Sequence, residues 1–209
     1  MNKFRILCIG DSNTYGLIPG TIERYGFAER WTGIISERFR EKNYRIIEEG
    51  LCGRTTVFDD PLRSGRRGSE LLPVILESHK PLDLVILMLG TNDCKAHYEA
   101  SPQVIGLGIK KLIDQIKAVY ADAEVLVVSP ILLGEDIWDG YDVEFDEKSV
   151  KTSKKLGEVY KQIALDEGVE YLSASDYATP SKQDREHLDL EGHKFLAKAI
   201  GDKIEKIFR

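Results

Sequence analysis

Ser12, Asp184 and His187 are the residues whose types and setting suit nucleophilic chemistry. A serine hydroxyl is a poor nucleophile until a neighbouring base takes its proton. Ser12 follows the apolar run Phe4-Arg5-Ile6-Leu7-Cys8-Ile9, which stops at Gly10. Such a run forms a buried strand, and ligands in open α/β sheets bind beyond the carboxyl ends of strands. Far along the chain, Asp184-Arg185-Glu186-His187 separates a carboxylate from an imidazole by three residues. One turn brings that carboxylate back to orient the ring. Three such groups in contact suit nucleophilic attack by the hydroxyl, with His187 as base and Asp184 stabilising the imidazolium. It calls for no cofactor and no metal.

Two further stretches supply hydrogen-bond donors. Asn92 follows the strongest apolar run, where a side-chain amide can point an N–H at the oxygen beside Ser12. Gly50-Leu51-Cys52-Gly53 lets the backbone turn sharply and approach a ligand; the alternative is an ordinary turn. Asp11, Tyr15 and Trp31 are candidate substrate contacts, with Asp11 also suited to fixing the turn. Competing readings remain. His193 is a second candidate base, or a packing histidine of the last helix. Cys52 or Cys94 is a candidate nucleophile, though neither has the strand-to-turn setting of Ser12. Cys94 and His97 form a lone metal-type pair. The Ser12-Asn13-Thr14 loop is also a candidate phosphate cradle, without the glycine and lysine pattern of a P-loop.

The elements that must hold these groups alternate. Strands are expected at Phe4–Ile9, Tyr44–Glu48, Leu82–Leu89, Glu124–Val128 and Val169–Leu172. Helices are expected from Trp31 to near Lys42-Asn43, and at Ser69–His79, Pro102–Tyr120, Lys148–Gly168 and Leu190–Arg209. Val104 and Leu107 are among the apolar positions of the Pro102–Tyr120 helix, and Phe195 is placed inward on the last helix. Asp59–Ser69 and Ile131–Asp146 read as long loops. Alternating strands and helices imply a parallel sheet covered on both faces, a three-layer α/β/α sandwich. With 209 residues, one domain over 1–209 is expected. A net charge of -6 disfavours nucleic-acid binding, and no apolar run reaches the length of a membrane span. Three cysteines and a start at Met1-Asn2-Lys3 without a cleavage pattern point to a cytoplasmic protein with free thiols.

Gly10-Asp11-Ser12-Asn13, the Gly53 turn, Gly90-Thr91-Asn92-Asp93 and Asp184-x-x-His187, in that order, resemble the SGNH (GDSL-type) hydrolase family. Glu48-Glu49-Gly50-Leu51 with Arg54-Thr55-Thr56, and the approach to Gly90 through Met88-Leu89, resemble its bacterial arylesterase/acyltransferase branch. The resemblance implies the flavodoxin-like strand order 2-1-3-4-5, one that common rules permit. It implies an oxyanion hole from the backbone N–H groups of Ser12 and Gly53 and the Asn92 side chain. The family often has Asn shortly before the second-block glycine; here Glu48 and Glu49 occupy that stretch, leaving the tether of the loop open. The implied substrate is a small acyl or aryl ester, or an acetylated sugar, with acyl transfer as a further activity. The branch includes oligomers whose neighbouring subunits narrow the site, so a homo-oligomer using Asp59–Ser69 or Ile131–Asp146 is expected.

Overall fold

The structure, a computed structural model, describes residues 4–209. The Met1-Asn2-Lys3 lead-in falls outside the described residues. Five parallel strands form one sheet: β1 (Phe4–Gly10), β2 (Tyr44–Gly50), β3 (Leu84–Met88), β4 (Glu124–Ser129) and β5 (Glu170–Ser173). Their order is β2-β1-β3-β4-β5. Every residue of β3 is buried, as a central strand covered on both faces requires. β1 lies between β2 and β3, with Gly10 in register with both Gly50 and Met88.

The helices are α1 (Ser12–Tyr15), α2 (Trp31–Arg38), α3 (Gly68–Ser78), α4 (Pro102–Val119), α5 (Glu147–Glu167) and α6 (Leu190–Ile207). Alternate strand residues feed two cores. Leu7, Ile9, Val85, Leu87, Val125 and Val127 pack under α3, α4 and α5. Ile6, Cys8, Leu84, Ile86, Leu126 and Val128 pack under α2 and α6. The result is the three-layer sandwich that strand and helix alternation implies.

Local chemistry sets the helix ends. Ser101 accepts from Val104 N, with Pro102 in the first turn of α4. Asp146 and Ser149 form a reciprocal cap at the start of α5, and Gly168 ends it in the left-handed region. Asp189 accepts from Gly192 N at the start of α6. Pro73 lies inside α3, beyond the first turn expected of it. Its missing N–H leaves the Ser69 carbonyl without its helical donor, and Gln115 of α4 donates there at 2.7 Å.

The inward placement of Phe195 is corrected, and two apolar positions of α4 also face outward. Val104, Leu107 and Phe195 are exposed. Each lies at the margin of an apolar stripe wider than the surface its helix buries. His193 takes an inward position on α6 instead, fully buried, and accepts the Trp31 N–H on Nδ1 at 3.3 Å. That contact meets one of the free donors at the start of α2. Among the described residues, no helix is long and apolar enough to cross a membrane.

Candidate active site

The strand β1 ends at Gly10, and the chain turns at once into α1. A Cβ at Gly10 would lie 2.6 Å from the Thr14 Cβ and 2.8 Å from the Met88 carbonyl. Only glycine lets the turn close this tightly. Asp11 caps α1, accepting from Asn13 N at 3.0 Å. Ser12 thereby sits beyond the carboxyl end of β1, a strand flanked by β2 and β3.

His187 arrives from the other end of the chain. Its Nε2 lies 2.9 Å from Ser12 Oγ, and its Nδ1 lies 2.8 Å from Asp184 Oδ2. Asp184 Oδ1 also accepts the His187 and Glu186 backbone N–H groups at 3.0 and 3.1 Å. Gly20 N donates to Oδ2 at 2.9 Å. Burial alone would lift the Asp184 pKa, but these bonds outweigh it and hold the carboxyl at about 2. Burial works against a charge on His187, yet Glu186 and Asp184 overcome it and raise the imidazole above its usual range.

The turn carrying His187 is held on two sides. Asn13 Nδ2 donates to the Glu186 carbonyl at 3.4 Å, and Leu188 N donates to Asn13 Oδ1 at 2.9 Å. Arg185, between Asp184 and Glu186, has φ +66°, a conformation costly for a residue with a Cβ. Gly134 N donates to its carbonyl at 2.8 Å, and its Nε pairs with Asp136 at 2.9 Å. The loop 131–146 thus braces the His187 turn.

The donor side is built from two loops. Gly53 has φ +82°, the left-handed region that glycine enters without penalty. Leu51 N donates to the Gly10 carbonyl at 3.1 Å, seating the loop against the nucleophile turn. Asn92 Nδ2 donates to the Arg54 carbonyl at 3.2 Å, next to Gly53. An amide nitrogen carries two N–H groups, so this bond orients Asn92 and leaves one to point at substrate.

The tether left open by Glu48 and Glu49 is supplied by Arg54 and Asp93. Arg54 Nη1 donates to the Gly10 carbonyl at 3.0 Å and to the Glu49 carbonyl. Buried Asp93 accepts Thr56 N at 2.9 Å and Thr56 Oγ1 at 2.5 Å. Asn13, Arg54 and Asp93 were not assigned these roles from sequence. Their positions beside the glycine turns were the available signal.

One substrate contact is corrected. Trp31 is fully buried in the core under α2, facing the sheet rather than the site. Asp11 is 1% exposed, and its Oδ1 caps α1 by accepting from Asn13 N, the turn-fixing role the sequence also offered for it. Tyr15 ends α1 half-buried, its ring under the Arg24 guanidinium at 4.3 Å. Of the other histidines, His193 is buried against α2, and His79 meets Glu49 Oε1 at 2.8 Å. Cys8, Cys52 and Cys94 are free thiols, with burial raising the pKa of each. Among the described residues, no thiol contacts an imidazole as Ser12 does.

Residues 8–195 match the model of the GDSL-like lipase/acylhydrolase family. The chain is similar to a carbohydrate acetylesterase from Sinorhizobium meliloti at 39% identity, covering 99% of this chain and 100% of that one, with a TM-score of 0.92. It is similar to the native aryl esterase of M. smegmatis at 33% identity, covering 97% and 99% of the two chains, with a TM-score of 0.91. A further carbohydrate acetylesterase family member from Sinorhizobium meliloti aligns at 28% identity over 98% of each chain, with a TM-score of 0.91. No curated protein sequence matches the chain.

Proposed function

The chain belongs to the GDSL-like lipase/acylhydrolase family and is a carboxylic ester hydrolase, and from that premise we propose that Ser12 is its nucleophile, His187 its general base and Asp184 the orienting acid. The observation that carries this reading is the unbroken contact from Asp184 through His187 to Ser12 Oγ, at 2.8 and 2.9 Å. As Ser12 attacks the ester carbonyl, His187 Nε2 takes its proton, and Asp184 stabilises the imidazolium. The backbone N–H groups of Ser12 and Gly53 and the Asn92 amide receive the negative charge on the carbonyl oxygen. His187 then protonates the departing alcohol, and water or another alcohol resolves the acyl-enzyme. Membership of an ester hydrolase family removes the non-catalytic phosphate or flavin module from contention.

The proposed substrates are small acyl or aryl esters, with Tyr15 as one wall of the site. O-Deacetylation of sugars is the second reading, favoured by the 39% identity to a carbohydrate acetylesterase. Acetate release from acetylated sugars compared with aryl acetates separates the two. We further propose a homo-oligomer, supported by Ile22, Leu62, Trp138 and Tyr141, large apolar residues left exposed on the loops. A cytoplasmic setting is consistent with the three free thiols. One domain over 1–209 is consistent with both cores packing on the same sheet.

The test is direct. A covalent serine probe labels Ser12, as mapped by peptide mass spectrometry, and Ser12→Ala abolishes hydrolysis of a chromogenic acetate ester. Undiminished turnover by that variant would falsify the assignment.

A further inference from the structure

Glu186 is a buried carboxyl that the reaction as described leaves unused. It is 6% exposed, and its side chain makes no hydrogen bond among the described residues. Its Oε2 lies 3.7 Å from His187 Nε2, on the side of the ring that meets Ser12, whereas Asp184 holds Nδ1. The carboxyl is held there by its backbone: Glu186 N donates to Asp184 Oδ1, and Asn13 Nδ2 donates to the Glu186 carbonyl. The charged groups facing it are Asp142 from the loop before α5, Asp11 at the end of β1, and Asp184 and His187 from its own turn. The Cys52 thiol is also within its electrostatic reach. Three of these neighbours are acids and none donates to it. Buried polar groups left without a protein partner are ordinarily met by ordered water or ligand.

We propose that Glu186 selects the acceptor in deacylation: its carboxylate and His187 Nε2 together hold the attacking water, favouring hydrolysis over transfer to an alcohol. The inference rests on the Ser12–His187 reading above. Once Ser12 Oγ carries the acyl group, Nε2 is free, and the 3.7 Å gap admits one oxygen within hydrogen-bonding reach of both groups. Water gives one hydrogen to Nε2 and the other to Glu186. Nε2 takes the first proton as the water oxygen bonds to the acyl carbon, and the carbonyl electrons move to its oxygen. Collapse of that intermediate breaks the bond to Ser12 Oγ, and Nε2 returns the proton to Oγ. The second hydrogen leaves on the carboxylic acid product, and Glu186 is unchanged.

An alcohol has only one O–H. With that hydrogen on Nε2, its carbon substituent faces the carboxylate, which then loses water and gains no donor. Burial pushes the Glu186 pKa up to about 7 against the attraction of His187, so at higher pH it is an acceptor alone. Glu186 also strengthens His187 as a base. Water and alcohol use the same base, however, so that effect cancels in the ratio of the two products.

The experiment measures acid against alkyl ester formed from an aryl acetate with ethanol present, for wild type, Glu186→Gln and Glu186→Leu. At about pH 8 the transfer-to-hydrolysis ratio rises roughly tenfold in Glu186→Leu, the scale of one hydrogen bond to a charged group, and by less in Glu186→Gln, whose amide oxygen still accepts. In wild type the ratio falls as pH rises through about 7, whereas in Glu186→Gln it stays flat. A ratio unchanged in Glu186→Gln, with the same pH course as wild type, overturns the proposal even where Glu186→Leu does not fold. Failure of the nucleophile assignment is read separately, as the absence of an acetyl group on Ser12 of the wild-type protein.

Discussion

At the level of single residues, the His187 imidazole stands between two carboxylates in different surroundings. Asp184 accepts N–H groups from Gly20, Glu186 and His187, and its pKa falls to about 2 although burial opposes this. Glu186 accepts none, and burial lifts it to about 7. Against the desolvation that disfavours its charge, Glu186 and Asp184 hold the proton on His187 to about 9. The base must be neutral to take the Ser12 proton. The acid limb of kcat/KM therefore lies above the free imidazole value of about 6.5, with activity rising through it. Asp184→Asn moves that limb to lower pH and lowers kcat by about 10⁴-fold, in line with the loss of an orienting carboxylate in a serine triad. A pH–rate series on a chromogenic acetate reads both effects; a wild-type limb at or below the free value contradicts the account. On the donor side, Asn92→Ala lowers kcat by about 10²–10³ with little change in KM, because the oxyanion exists only in the transition state.

At the level of elements, the site depends on contacts that join distant segments. Asn13 of α1 bonds the backbone on both sides of His187, at Glu186 and at Leu188. Asn13→Ala leaves the buried Leu188 N–H without a partner and costs about 1–3 kcal/mol. Urea unfolding checks that loss. Turnover drops as well, because the 2.9 Å approach of Nε2 to Ser12 is no longer braced; an Asn13→Ala enzyme with wild-type kcat would show that α1 does not position the base. Such contacts also mark the boundary of what sequence discloses. The strand and helix pattern was legible because local signals punctuate it: Gly10, Pro102, Asp146 and Gly168 each stand at an element end. Ser12, Asp184 and His187 were legible because their spacing is itself chemical, and the structure brings the three into contact. The tethers were not. Arg54 reaches Gly10 across 44 residues, Asp93 reaches Thr56 across 37, and Asn13 reaches Leu188 across 175. No periodicity encodes such pairings. Trp31 misled because an aromatic at a helix start reads equally as pocket wall or core, and only the packing of α2 on the sheet decides for core.

For the molecule as a whole, one edge of the sheet gathers acids that folding removes from water. Desolvation raises Asp11, lifts Asp93 to about 6 despite its bonds from Thr56, and lifts Glu186 to about 7. Exposed ion pairs such as Arg38–Asp202 and Lys42–Glu205 contribute little. Buried titratable groups therefore set most of the pH dependence of stability. A group whose folded pKa exceeds its unfolded value stabilises most below the unfolded value, and loses that contribution as pH rises through the folded one. For Asp93 and Glu186 the loss runs from about 4 to about 7. His187, raised to about 9, extends the decline further. Asp184 acts in the opposite sense: its contribution is present above about 4 and vanishes as pH falls through about 2. Buried His193, held down to about 4 by desolvation, also acts in the opposite sense, its contribution lost as pH falls from about 6.5 to about 4. The two senses oppose each other in mildly acidic solution, and above about pH 7 the fold weakens toward alkaline pH. Glu186→Gln tests the source. It removes the Glu186 ionisation and lowers the His187 pKa, so its unfolding midpoint meets that of wild type near pH 4 and exceeds it increasingly up to about pH 9. A constant offset between the two proteins across that range would place the alkaline weakening away from Glu186.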